Sequence, residues 1–159
     1  MTVDLHGEDC PGGCPGRGCF ESLVSGRAIG VAARRLGEQA AGSTFAKLIA
    51  EGSEIRGGLV TELAHDGDEQ ALAALTSVGE RLGIGIAGLV NALDPGVVVI
   101  GGGAVAAGDL LLDPAREVLA GRVLPPGGAP PPIVPAHFGS ESGMLGAALL
   151  ALDGEAAWG

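Results

Sequence analysis

The 159 residues leave room for about one domain with a single modest core. A net charge of −10, with only nine Lys and Arg scattered along the chain, excludes the basic face that phosphate backbones require, so this chain by itself is no nucleic-acid binder. Its apolar runs are broken by Gly, Asp or Arg short of the roughly 18 residues of a bilayer span, and the composition fits a soluble, cytoplasmic protein.

With 30 Gly, three Phe, one Trp and no Tyr, the core is expected to consist of Ala, Leu, Val and Ile on closely packed helices. Met1 to Leu5 reads as an extended piece. It leads into Cys10-Pro-Gly-Gly-Cys14-Pro-Gly-Arg-Gly-Cys19-Phe-Glu21, which holds all three cysteines of the chain. Thiolates on a tight Gly-rich loop suit a tetrahedral Zn²⁺ site, because Gly admits the backbone angles that turn successive sulfurs toward one centre. A disulfide would pair two and strand the third, and neither a secretory leader nor a dense cysteine framework is present. His6, as His6-x3-Cys10, is one candidate for the fourth ligand; a group outside the chain is the other. A closed, thiolate-rich site is structural, since it leaves no position for a reactive water.

Phe20 to Val24 is expected to form a short helix. Ser25 can cap a second helix through Leu36, with Gly37 ending it, and Ser43 can cap a third carrying Phe45, Leu48 and Ile49 on one face. Thr61 to Ala64 reads as a fourth helical piece, and the loop His65-Asp66-Gly67-Asp68 as a turn rich in carboxylates. From Glu69 to Leu93, apolar residues at Leu72, Leu75, Val78, Leu82, Ile86, Leu89 and Leu93 recur at spacings of three and four, which predicts one long helix. Asp94-Pro95-Gly96 stops it.

Val97 to Ile100 is an apolar, β-branched run of the kind found in strands buried on both faces. Gly101-Gly102-Gly103 follows directly. Bare backbone after a core strand admits either a tight turn or a ligand-binding loop, and no Walker or dinucleotide pattern accompanies it. Asp113-Pro114 reads as the cap and first position of a helix through Ala120, preceded by an apolar turn at Leu110 to Leu112. A Pro-rich connector, Pro125 to Pro132, leads to a second strand at Ile133 to Phe138, with His137 half-buried at its end. Ser140 or Ser142 then caps a final helix through Leu152, with Met144, Leu145, Ala148 and Leu149 inward. The fold class is therefore α/β, dominated by helices.

Taken together, these residues resemble the ROK family of sugar kinases and repressors, and within it the bacterial ATP-dependent glucokinases. The resemblance rests on Cys14-Pro-Gly-Arg-Gly18-Cys19-Phe-Glu21, Ser25-Gly26, Gly67-Asp68, Leu82-Gly83-x-Gly85, Leu93-Asp94-Pro95-Gly-Val97 through Gly103, and Gly143-Met-Leu-Gly146-Ala147-Ala148. Cys10 lies two residues farther out than the family's usual first cysteine.

The resemblance implies the C-terminal lobe of an actin-like, ribonuclease-H-like ATPase fold, with a structural zinc loop over residues 1–24 and the remainder of the lobe over 25–159. It makes Cys10, Cys14 and Cys19 zinc ligands, Glu21 the acceptor of sugar hydroxyls, and Gly101, Gly102 and Gly103 the adenosine-side loop. The family's zinc histidine, catalytic Asp and phosphate segment are expected upstream of Met1, which argues against His6 as a ligand and leaves no catalytic base here. The implied reaction moves the γ-phosphoryl group of ATP, with Mg²⁺, to glucose, in a homo-oligomer when complete. N-acetylmannosamine or fructose as substrate, a sugar-sensing repressor, or an inactive truncated product are the alternatives. Missing neighbours should leave apolar faces exposed, with a tendency to self-associate.

Overall fold

The computed structural model describes residues 1–11, 13–124 and 129–152. Its elements are helices α1 (Phe20–Val24), α2 (Gly26–Gln39), α3 (Thr44–Ala50), α4 (Gly57–His65) and α5 (Glu69–Leu93), strand β1 (Val98–Ile100), helix α6 (Asp109–Ala120), strand β2 (Ile133–Pro135) and helix α7 (Ser142–Leu152). Short 3₁₀ turns at Gly103–Ala107 and Gly139–Glu141 follow the two strands.

Side-chain caps define three of the helix starts. Ser25 accepts from the Ala28 N–H, and Ser43 from the Ala46 N–H at 3.2 Å. Asp68 does double duty: Oδ1 accepts from the Ala71 N–H and Oδ2 from the Thr44 hydroxyl, both at 2.9 Å, so one carboxylate caps α5 and ties it to α3. At its other end α5 closes on Asp94, which adopts the left-handed conformation (φ +45°) just before Pro95.

The pillar of the fold is α5, which touches α1, α2, α4 and α6. Its Leu75, Val78, Leu82 and Ile86 are buried with Ile29, Phe45, Val60, Leu111, Leu112 and Leu119 in one cluster. Glycines let α6 approach closely: a Cβ on Gly79 would strike the Leu111 carbonyl oxygen, and one on Gly83 would lie 2.5 Å from that of Ala115. On another side the Phe20 ring occupies the space that a side chain at Gly85 would need, which docks α1 on the pillar. β1 and β2 pair in parallel with Val98 opposite Ile133, Val99 opposite Val134 and Ile100 opposite Pro135, and α6 is the crossover between them.

Several expectations are corrected. Helix α2 runs past Gly37 to Gln39, because Gly37 is a packing residue against Phe45 and not a terminator. Arg34 and Arg35 each pair with a carboxylate, Glu38 and Glu8. Helix α4 starts at Gly57 and includes His65. Helix α6 begins at Asp109, so Asp113-Pro114 is internal: the apolar residues Leu111 and Leu112 fill the core better as part of the helix than as a turn, and this outweighs the backbone bond that Pro114 cannot make. β1 is not covered on both faces. Val98 and Ile100 pack on the core while Val99 is 57% exposed, the alternation of a half-buried strand.

β2 stops at Pro135, and His137 beyond it is exposed, its ring edge-on to Phe138. Ser142 is the first residue of α7 and not its cap. Met144, Ala148 and Leu149, expected inward, are exposed and Leu145 is half-buried, because α7 is apolar nearly all round and selects no single face. Part of the Pro-rich connector, residues 125–128, lies outside the described residues. Finally, α5 is long and apolar enough to cross a bilayer by length and composition, contrary to the reading of short runs; 56% of its most apolar stretch is buried inside the fold, as in a core helix.

Candidate functional site

The described residues among 1–20 form a small knot closed by backbone hydrogen bonds. Thr2 bridges Cys19 and Asp9 bridges Arg17 in antiparallel fashion. The Cys10 N–H donates to the Gly16 carbonyl at 2.9 Å, the Gly18 N–H to that of Glu8 at 2.8 Å, and the Phe20 N–H to that of Met1 at 2.8 Å. Gly18, with φ +55°, faces the Asp4 carbonyl so closely that no side chain fits there.

This folding brings Cys10, Cys14 and Cys19 together. All three are free, and their sulfurs lie within 4.8 Å of one another. Sulfurs on a tetrahedral zinc, at about 2.3 Å from the metal, stand about 3.8 Å apart, so a small contraction seats an ion on this face. Gly16 supports the fit: a Cβ there would sit 3.1 Å from the Cys19 sulfur and 3.4 Å from that of Cys14, filling the cradle. The Cys19 thiol, hydrogen-bonded to Cys10, holds Cys10 below the usual thiol range, and the same contact pushes Cys19 up. Cys10 is thus the first of the pair to become a thiolate. His6 stands outside the sulfur cluster, and its backbone N–H goes to Asp4 Oδ1 at 2.9 Å.

Sequence reasoning passed over Ser22. Its hydroxyl donates to the Cys19 carbonyl at 2.7 Å and lies 3.9 Å from the Cys10 sulfur, so it braces the cluster from the helix side. A Ser three residues after a helix-entry cysteine is a recognisable local signal for such a contact.

Glu21 projects from the first turn of α1 and is exposed. It follows directly on two anchors, since Cys19 belongs to the sulfur cluster and Phe20 is wedged on Gly85. A carboxylate held this way offers several acceptor sites to a ligand's hydroxyl groups.

Gly101, Gly102 and Gly103 leave the end of β1, where the Ala136 N–H donates to the Ile100 carbonyl at 2.8 Å. Gly102 adopts φ +91°, a conformation that requires glycine, and open space surrounds the Cβ positions of Gly102 and Gly103. The turn therefore presents bare backbone at the carboxyl end of a parallel strand, the usual position of ligands in such sheets. No hydrogen bond among the described residues joins it to Glu21.

Comparison with known proteins bears on both patches. The model of the ROK family matches residues 1–154. A glucokinase from Streptomyces coelicolor is 33% identical over 150 residues, covering 89% of this chain and 46% of that protein. A putative xylose repressor from Caldicellulosiruptor is 33% identical over 119 residues, covering 75% of this chain and 29% of its own length. Among solved structures, a ROK family glucokinase from Streptomyces griseus in complex with glucose and AMPPNP superposes with a TM-score of 0.85 at 30% identity, over 97% of this chain and 50% of that one. The chain spans half or less of the length of these relatives.

Proposed function

The chain belongs to the ROK family, and we propose that it forms the zinc-bearing, sugar- and adenosine-contacting part of an ATP-dependent sugar kinase of the glucokinase type. The observation that carries this reading is the likeness, over nearly the whole chain, to a glucokinase structure holding glucose and an ATP analogue. In this reading Cys10, Cys14 and Cys19 bind a structural Zn²⁺, which fixes the loop from which Glu21 projects. Glu21 accepts hydrogen bonds from sugar hydroxyls, and Gly101 to Gly103 admit the adenosine side of ATP. Positioning and charge stabilisation dominate phosphoryl transfer, and both draw on groups from two sides of a cleft, with Mg²⁺ on the phosphates. The proton acceptor is assigned to a segment outside residues 1–159.

The likeness to a putative xylose repressor favours a second reading, in which the same sugar contacts serve sensing without phosphoryl transfer. One experiment separates the two. Residues 1–159 given glucose and ATP-Mg²⁺ should yield no sugar phosphate, whereas a protein extended by the family's remaining segments should phosphorylate glucose in preference to N-acetylmannosamine or fructose. Activity from residues 1–159 alone would refute the division of labour. Sugar binding by the extended protein without any phosphorylation would favour the repressor.

A further inference from the structure

Helices α2 and α5 and the loop from Val3 to Pro11 enclose a cleft of about 610 Å³. Neither Glu21 nor the glycine turn lines it. Arg27, Val31 and Arg35 recur at intervals of four on α2, which puts them on one face of that helix, and Ser77 and Arg81 do the same on α5. Alanines 28, 32 and 74 between them keep the space open.

Three of the chain's nine cationic side chains thus line one cleft, although the chain as a whole repels anions. Three carboxylates, Asp4, Glu8 and Asp9, line it too and balance its formal charge, and each has a partner within the loop or at its rim. Asp9 pairs with Arg17 at 3.3 Å, Asp4 Oδ1 takes the His6 N–H, and Glu8 pairs with Arg35. Arg27, which is exposed at the mouth of the cleft, and Arg81, which is half-buried, have neither a hydrogen bond nor an ion pair among the described residues. A guanidinium so placed has five donors with few partners.

We propose that this cleft binds a small organic phosphate, with Arg27 and Arg81 holding the phosphate from opposite helices. Two guanidinium forks from separate directions match the several oxygens of a phosphate, whereas one fork already satisfies a carboxylate. The volume lies in the range of small-molecule sites and exceeds what a bare anion fills, and Val31, Leu23 and Ile84 supply apolar wall for the rest of the ligand. The inference rests on this cleft and is independent of the kinase reading.

Calorimetric titration of the chain with inorganic phosphate and with phenyl phosphate, in phosphate-free buffer of low ionic strength, tests it. Saturable binding at one site is expected, tighter for phenyl phosphate. Arg81→Ala should weaken it about tenfold, the size of one charge-assisted contact, and Arg27→Ala with Arg81→Ala should abolish it. Arg122→Ala, an exposed change outside the cleft, should leave it intact. If Arg81→Ala unfolds the chain, Arg81→Met keeps the aliphatic stem and decides the matter. No saturable binding of either probe, equal binding by the double variant, or equal loss on Arg122→Ala would overturn the proposal.

Discussion

Arg116 donates two hydrogen bonds, from Nε at 3.1 Å and Nη2 at 2.9 Å, to the single carbonyl oxygen of Ile133. Its remaining terminal nitrogen is held by Asp109 at 2.7 Å and Asp113 at 2.6 Å, one turn apart on α6. The two carboxylates aim the guanidinium and raise its proton affinity further, so the fork pins β2 to the crossover helix. Arg116→Ala should lower unfolding free energy by about 1.5 to 3 kcal/mol, and Arg116→Lys, which cannot fork, should recover only part of that. Urea midpoints measure both; a Lys variant as stable as the parent would mean that charge alone matters.

The glycines of α5 divide into two kinds. Gly88 is exposed with nothing near its Cβ position, so Gly88→Ala should stabilise by about 0.5 to 1 kcal/mol through helix propensity. At Gly79 the same change meets the Leu111 carbonyl oxygen, and overpacking of about 1 to 3 kcal/mol should outweigh that gain. Thermal melts of the two variants should therefore move in opposite directions.

Elemental analysis of the chain purified without chelator should find zinc at up to about one equivalent. Cys10→Ser, Cys14→Ser or Cys19→Ser should each remove it, and His6→Ala should not. Because thiolates must lose protons to bind, retention should fall as the pH is lowered. Loss of zinc in the His6 variant alone would make that residue the fourth ligand.

In the metal-free chain Cys10 and Cys19 are both half-buried but differ in proton affinity. The depressed group is thiolate at a pH where its neighbour is still protonated, and this advantage disappears as pH falls through the Cys10 value. Iodoacetamide followed by peptide mass spectrometry should label Cys10 ahead of Cys19 at neutral pH. Urea should equalise the two rates, since the preference depends on the folded contact.

Elements whose signals are local were legible in the sequence. Ser25 and Ser43 cap where their position before apolar runs predicts, and α5 keeps the bounds of its three-and-four spacing. The sulfur cluster followed from spacing alone. What escaped depends on partners distant in sequence. Gly37 ends nothing because Phe45 lies against it, and Pro114 is tolerated inside a helix because Leu111 and Leu112 are buried by α5's side of the core. The half-covered state of β1 could not be read from an all-apolar run, since the residues themselves would suit burial on either face. Nor could the argininyl cleft, whose two helical walls are brought together by the packing of α2 on α5.

Cys19, Phe20 and Glu21 are consecutive, and each is assigned a different direction: toward the sulfur cluster, into the α5 groove, and out to solvent. Such a triplet has no slack. Inserting one residue between Phe20 and Glu21 would rotate the carboxylate about 100° around the helix while both anchors stayed seated. The spacing between metal loop and carboxylate therefore behaves as a fixed dimension of the molecule, set by the count of residues between them.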